Sequence, residues 1–177
     1  MRVLSLAIDM NCYFAPAGPR ESIVFGACRP GYPAENVGSA DVNAWISTMD
    51  ENNIERVCCL LSTEQLAFYD GLINQYRRVY GEEHVLHAPV EDYSVVSLES
   101  FGDHILPFLR CSLESGMPTV VHCSAGIGRT GQVLALWLAV ERGYSLEEAV
   151  QTVRRHFRDP LESISVSQLQ SVYEALC

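Results

Sequence analysis

One stretch of this chain carries residues that can do covalent chemistry: His122, Cys123, Ser124, Ala125, Gly126, Ile127, Gly128, Arg129, Thr130 and Gly131. Before it, Pro118, Thr119, Val120 and Val121 read as a short buried strand. After it, residues 132–142 include Leu134, Leu136, Trp137, Leu138 and Val140 and read as an apolar helix. The cysteine therefore sits on a tight glycine-containing loop between a strand and a helix N-terminus. Backbone N–H groups converge at such a place and the helix dipole adds partial positive charge, so an oxyanion can be held there. The same field favours the thiolate, the nucleophilic form of a cysteine. Arg129, on the first turn of the helix, offers a planar fork that can grip two phosphate oxygens. Thr130 brings a hydroxyl that can hydrogen-bond the thiolate as it leaves. Together these groups can bind a phosphate and form a thiophosphate ester. Turnover then needs an acid for the leaving oxygen and a base for water.

Two other readings of the loop fare worse. Gly126, Gly128 and Gly131 satisfy the dinucleotide-binding pattern, but that fold needs a further strand with an acidic residue at its end. Two more helical segments follow here instead. A buried structural cysteine would explain neither the glycines nor the arginine.

The elements that must position the loop alternate along the chain. Residues 3–8 and 22–25 read as strands. Ser39 or Asp41 can cap a helix to about residue 52, with Val42, Trp45, Ile46 and Met49 on one face. Residues 54–61 form a buried-type strand, and Ser62 caps a helix over 64–80 that Gly81 stops. A strand at 85–88 follows, then a helix over 98–115 capped by Ser97, bent at Pro107 and ended by Gly116. Beyond the loop helix, Ser145 and Glu148 make a capping box that opens a helix with a basic end: Arg154, Arg155, His156 and Arg158. That end could steer a phosphorylated segment, or could simply suit a helix C-terminus. Ser165 caps a last helix over 166–176. Such alternation predicts an α/β single-domain sandwich over residues 1–177, with a mostly parallel central sheet flanked by helices. The phosphate loop then lies at the carboxyl end of a strand. Arg29, in a turn-rich stretch after the second strand, is either a rim residue for substrate or a surface arginine. Cys58 and Cys59 should lie on a strand beside Val120 and Val121, facing opposite ways, so that only one could approach Cys123 as a redox partner.

His122, Cys123, Arg129 and Thr130 resemble the signature of the cysteine-based protein tyrosine phosphatases: His-Cys, five residues, Arg, then Ser or Thr. The resemblance implies that Cys123 attacks phosphorus, that Ser124, Ala125, Gly126, Ile127, Gly128 and Arg129 bind the phosphate, and that His122 is structural. It also implies a general acid on the loop after the strand one helix before the signature. That loop is 88–96 and the acid is Asp92. Glu91 is its excluded neighbour, because successive residues of an extended loop point apart. The large tyrosine-specific domains carry Trp-Pro-Asp where Val90, Glu91 and Asp92 stand, and they contain an insertion absent here. The chain therefore looks more like the compact dual-specificity branch or small archaeal and bacterial relatives. Ala125 and Ile127 stand where inositide phosphatases carry lysines. Near the end, Ile164, Ser165 and Gln168 resemble the family's glutamine segment, which implies that Gln168 places the hydrolytic water.

The activity implied is hydrolysis of phosphotyrosine, with phosphoserine and phosphothreonine, in proteins or peptides. The alternatives are a phosphate-binding module without turnover and a phosphatase for a non-protein substrate. No cofactor and no metal are implied, and His84 and His87, three apart on a strand, read as ordinary strand histidines. At 177 residues and 48% hydrophobic content the chain suits one domain with a full core. The net charge is −10 and every basic residue is arginine, with no lysine. The acidic excess argues against nucleic acid or an anionic membrane as partner. A halophilic source or GC-rich coding would each give this composition. Seven irregularly spaced cysteines and no secretory signal predict a reduced, cytoplasmic protein. A monomer is expected.

Overall fold

In the computed structural model, which describes residues 13–177, strand β5 (Thr119–His122) is buried along its whole length. It occupies the middle of a five-stranded sheet of order β1-β2-β5-β3-β4, where β1 is Ala15–Pro16, β2 Val24–Ala27, β3 Arg56–Cys59 and β4 Val85–His87. Only the β1–β2 pairing is antiparallel; β2, β5, β3 and β4 run parallel. Runs such as Val-Cys-Cys in β3 and Val-Val in β5 are apolar on both sides because helices cover both faces of the sheet. The strand expected at 3–8 lies outside the described residues.

One face packs on α1 (Ser39–Glu51) and α3 (Leu72–Tyr80), through Trp45, Met49, Leu72 and Tyr76. The other packs on α4 (Leu106–Ser115), α5 (Gly128–Glu141), α6 (Leu146–Arg154) and α7 (Val166–Leu176). Helix α5 is apolar nearly all round because it is buried nearly all round, with Leu134, Ala135, Leu136 and Trp137 inaccessible. Among the described residues no helix is long and apolar enough to cross a membrane.

The local departures from expectation have local causes. Helix α1 is capped by Gly38, with neither Ser39 nor Asp41 in that role; both lie in its first turn. The helix expected over 64–80 is two pieces. Ser62 and Gln65 form a capping box on α2 (Thr63–Leu66), and Gly71 then takes a left-handed conformation (φ 68°) that starts α3. Asp70-Gly71 is a turn dipeptide, and it breaks the helical pattern there. The bend expected at Pro107 takes the form of a π-helical stretch, Ser100–Ile105, in which the Leu106 N–H reaches back to the Phe101 carbonyl.

The register sorts the two adjacent cysteines. Cys58 pairs with Val121 and joins the layer that contains Cys123, while Cys59 pairs with His122 and joins the layer of Trp45 and Tyr76. Burial pushes both thiols up, Cys59 to about 12 and Cys58 beyond it.

Candidate active site

Cys123 follows β5 directly, and residues 123–127 turn back into the first turn of α5. The turn depends on Gly126, which has φ 76° and lies so close to β2 that a Cβ there would stand 2.3 Å from the Ala27 carbonyl oxygen. Two buried arginines hold the loop from outside. Arg29 donates its backbone N–H to the Ser124 carbonyl (2.9 Å) and its Nε to Ser124 Oγ (3.0 Å). Its guanidinium also reaches Tyr69 Oη (3.1 Å) and lies 4.9 Å from the Phe68 ring centroid. Arg158 donates Nη1 to the Gly126 carbonyl at 2.5 Å and Nη2 to the Tyr13 carbonyl.

The first finding corrects an expectation, and the second decides between two. Arg29 is neither a rim residue nor a surface arginine; it is buried against the loop. Of the two readings of the basic end of α6, the helix C-terminus fits: Arg154 lies in the last turn and pairs with Asp159 at 3.0 Å, and Arg158 is buried. In each case the guanidinium is drawn inside by loop oxygens that need donors.

His122 is wholly buried between Trp45, 5.3 Å away edge-on, and Tyr76. The Cys123 carbonyl can only accept, so His122 Nδ1 carries the proton of that 3.0 Å bond, and Nε2 accepts from Tyr76 Oη at 3.0 Å. Burial pushes the imidazole down to about 4, so it is neutral at physiological pH. The linkage has a definite sign. The unfolded chain takes up a proton near pH 6.5 and the folded chain only near 4, so stability falls as pH drops from 6.5 to 4 and is unaffected by this group above that window. Urea midpoints measured across pH 4–8 check this: His122→Gln should flatten the slope between 6.5 and 4, and an unchanged slope would assign it to other groups.

Asp92 stands on a turn beyond β4, where the Ser94 N–H meets the Glu91 carbonyl at 3.2 Å. The upstream side of that turn is tied to β3 and its extension: Ala88 N–H donates to the Cys59 carbonyl (3.0 Å) and Val90 N–H to the Leu60 carbonyl (3.1 Å). Arg129, 4% exposed, reaches across to it. Its Nη1 donates to the Val90 carbonyl (2.8 Å) and its Nη2 pairs with Asp92 Oδ1 (3.1 Å). Gln65 bridges the two: its Oε1 accepts from Arg129 Nη1 (2.9 Å) while its Nε2 donates to Asp92 Oδ2 (3.2 Å). Glu91 is exposed and does not reach the cavity.

A cavity of about 210 Å³ opens over these groups. Cys123, Ser124, Ala125, Gly128, Arg129 and Asp92 line it, with Tyr32, Tyr93, Gln132 and Glu162 on its walls. Of the remaining expected residues, Gly126 is turned onto β2, while Ile127 and Thr130 lie outside the lining. Thr130 is buried, and its hydroxyl has no hydrogen-bond partner among the described residues. Gln168 requires a correction. It is exposed at the start of α7, where its Oε1 accepts from the Ser165 N–H at 2.9 Å in a capping box, away from the cavity. Ser165-x-x-Gln168 is itself the spacing of a cap, which explains the residue without a catalytic role. From that part of the chain, Glu162 and Ser163 reach the cavity instead. Burial and the nearby Asp159 and Asp92 push the Glu162 carboxyl up, against the pull of Arg129.

A family model described as "Polymorphic toxin system, DSP-PTPase phosphatase" matches residues 34–143, more than half of the chain, from before α1 to the end of α5. The chain belongs to this family. The match contains the Cys123 loop and the Asp92 turn, so the DSP-PTPase region and the cavity coincide except for Tyr32 and the wall from Glu162 and Ser163. Relatives in curated collections match over shorter segments. The uncharacterised protein MJECL20 of Methanocaldococcus jannaschii is 36% identical over 39% of this chain and 44% of its own length. Human dual specificity protein phosphatase 2 is 32% identical over 50% of this chain and 29% of its own. The chain thus spans less than half the length of either. Among solved structures, that of Tk-PTP in a mutant form superposes with a TM-score of 0.65 at 25% identity, covering 87% of this chain and 89% of that one. The likeness in fold therefore extends well beyond the matched segment.

Proposed function

We propose that this DSP-PTPase family member is a cysteine-dependent phosphomonoester hydrolase acting on phosphotyrosine, and on phosphoserine or phosphothreonine, in proteins. The observation that carries the reading is the cavity itself, a single space at the carboxyl end of β5 that Cys123, Arg129 and Asp92 all face.

Cys123 Sγ attacks phosphorus in line with the ester oxygen. The loop N–H groups from Ser124 to Arg129 and the Arg129 fork carry the charge that spreads over the three equatorial oxygens. Asp92 gives its proton to the departing oxygen and leaves phosphate on sulfur. Water then attacks phosphorus, Asp92 takes the water proton, and the P–S electron pair returns to Sγ. The Thr130 hydroxyl, unpartnered in the resting site, donates to the thiolate that re-forms. His122 fixes the loop through the Cys123 carbonyl. The scheme calls on no cofactor or metal. The aromatic walls, Tyr32 and the 74%-exposed Tyr93, suit an aryl ester. Asp92 and Glu162 beside the entrance disfavour polyanionic substrates such as inositides or RNA 5′-triphosphate. A monomeric catalytic domain over the whole chain, working in the cytoplasm where thiols stay reduced, completes the reading.

A hydrolysis panel tests it: p-nitrophenyl phosphate, phosphotyrosine, phosphoserine and phosphothreonine peptides, an inositide and an RNA 5′-triphosphate. The expected result is vanadate-sensitive, EDTA-indifferent turnover of the aryl phosphate and the phosphotyrosine peptide. Turnover of the inositide or RNA alone would move the substrate to a non-protein class. Phosphate binding without turnover of any ester would make the chain a binding module.

A further inference from the structure

Gln132 is a long polar side chain at the head of an otherwise apolar run, 2% exposed, three residues after Arg129 on α5. A buried amide costs stability unless both of its ends are bonded. Both ends of this one bond to the same loop. Its Oε1 accepts from the Val96 N–H at 2.8 Å, and its Nε2 donates to the Ser94 carbonyl at 3.1 Å. These backbone groups lie just downstream of the turn that carries Asp92. Upstream of that turn, the Val90 carbonyl is held by Arg129. The turn is therefore gripped on both flanks by the first two turns of one helix, whose start also closes the Cys123 loop. The Val96 side chain, wholly buried, would keep the loop against the core by itself. What the amide adds is register along the chain: it fixes which backbone groups meet α5, and so how far Asp92 projects over the cavity.

We propose that Gln132 is the positioning residue of the general acid, setting the height of Asp92 above the phosphate loop. This rests on the reading of Asp92 as that acid. Gln132 lies on the cavity wall, but both of its hydrogen bonds run to the Asp92 loop, so it is assigned to act through that loop.

Gln132→Met tests the idea while keeping the side-chain length and burial. For a phosphotyrosine peptide, kcat/KM should fall by about 10–100-fold, the scale of a misplacement of about 1 Å. Most of that loss should vanish for an aryl phosphate whose strongly acidic leaving group needs no proton. The double variant with Asp92→Asn should be no slower than Asp92→Asn alone, since a group that only aims the acid has nothing left to aim. Amide hydrogen exchange at Val96 should accelerate at least tenfold in Gln132→Met, read against a thermal melt showing the variant folded. Equal losses on both esters, or multiplying losses in the double variant, would mean damage to the phosphate loop and would overturn the proposal. Unchanged exchange at Val96 would overturn it too. That measurement needs no activity: if the wild-type chain hydrolysed no ester, the phosphatase reading would fall by itself, and exchange would still decide the clamp.

Discussion

Cys123→Ser is expected to abolish steady hydrolysis of every ester while leaving phosphate binding in place. Nothing that shapes the anion site runs through the sulfur. Gly126 is fixed by its left-handed backbone and by β2, Ser124 by Arg29, and the Arg129 fork by the Val90 carbonyl and Gln65. The N–H groups therefore still converge when the sulfur is replaced by oxygen. A serine hydroxyl has no accessible anion at neutral pH, and the loop holds no other base within the scheme to activate it. Calorimetry with vanadate or phosphate, set beside p-nitrophenyl phosphate turnover, separates the two effects. Steady turnover by the serine variant would mean that another nucleophile does the work. Loss of binding with a normal melt would mean that the thiolate itself organises the loop.

The second large effect is expected at the acid. Asp92→Asn should lower kcat for a phosphotyrosine peptide by about 10²–10⁴-fold, the usual contribution of a positioned proton donor. The loss should shrink as the leaving group becomes more acidic. The fall in rate on the alkaline side of the wild-type profile should disappear, because the group that must be protonated is gone. Glu91→Gln is the matched control, since Glu91 is exposed and does not reach the cavity. Were Glu91→Gln crippled and Asp92→Asn fully active, the acid would be misassigned by one residue. Were neither slowed, Glu162, the other carboxylate on the cavity wall, would be next to replace.

The parts legible from sequence were those whose physics is local. A strand, two glycines and a helix start suffice to predict the loop, and the alternation of apolar runs suffices for a mostly parallel sheet covered on both faces. Capping boxes at Ser62, Ser145 and Ser165 appear where the spacing puts them. The misreadings came where a side chain's fate depends on a distant segment. Arg29 and Arg158 lie in stretches that read as surface, and both are buried because loop oxygens 95 and 32 residues away need their donors. Gln168 was given a role by resemblance when its spacing from Ser165 already explained it. Gln65 sits in a recognisable cap, yet nothing in Ser62-x-x-Gln65 announces that the same amide also touches Asp92 and Arg129. Gln132 left one trace, an amide beside seven apolar residues from Val133 to Ala139, and a buried amide in such a place is an invitation to ask what it bonds.

The contact between Arg129 and Asp92 sets a carboxylate against any anion that comes to the arginine. A carboxylate already lies 3.1 Å from the guanidinium nitrogen that an incoming phosphate would take, so substrate enters by anion exchange rather than by filling a vacancy. With Asp92 43% exposed, such a pair contributes on the order of 1 kcal/mol or less. Apparent affinity is then lowered by no more than about fivefold, the inverse of the share of molecules in which the arginine is free. Under the proposed mechanism Asp92 carries the proton taken from water when phosphate is formed, so it competes for Arg129 again only once that proton is lost, and product release would then be linked to a single deprotonation.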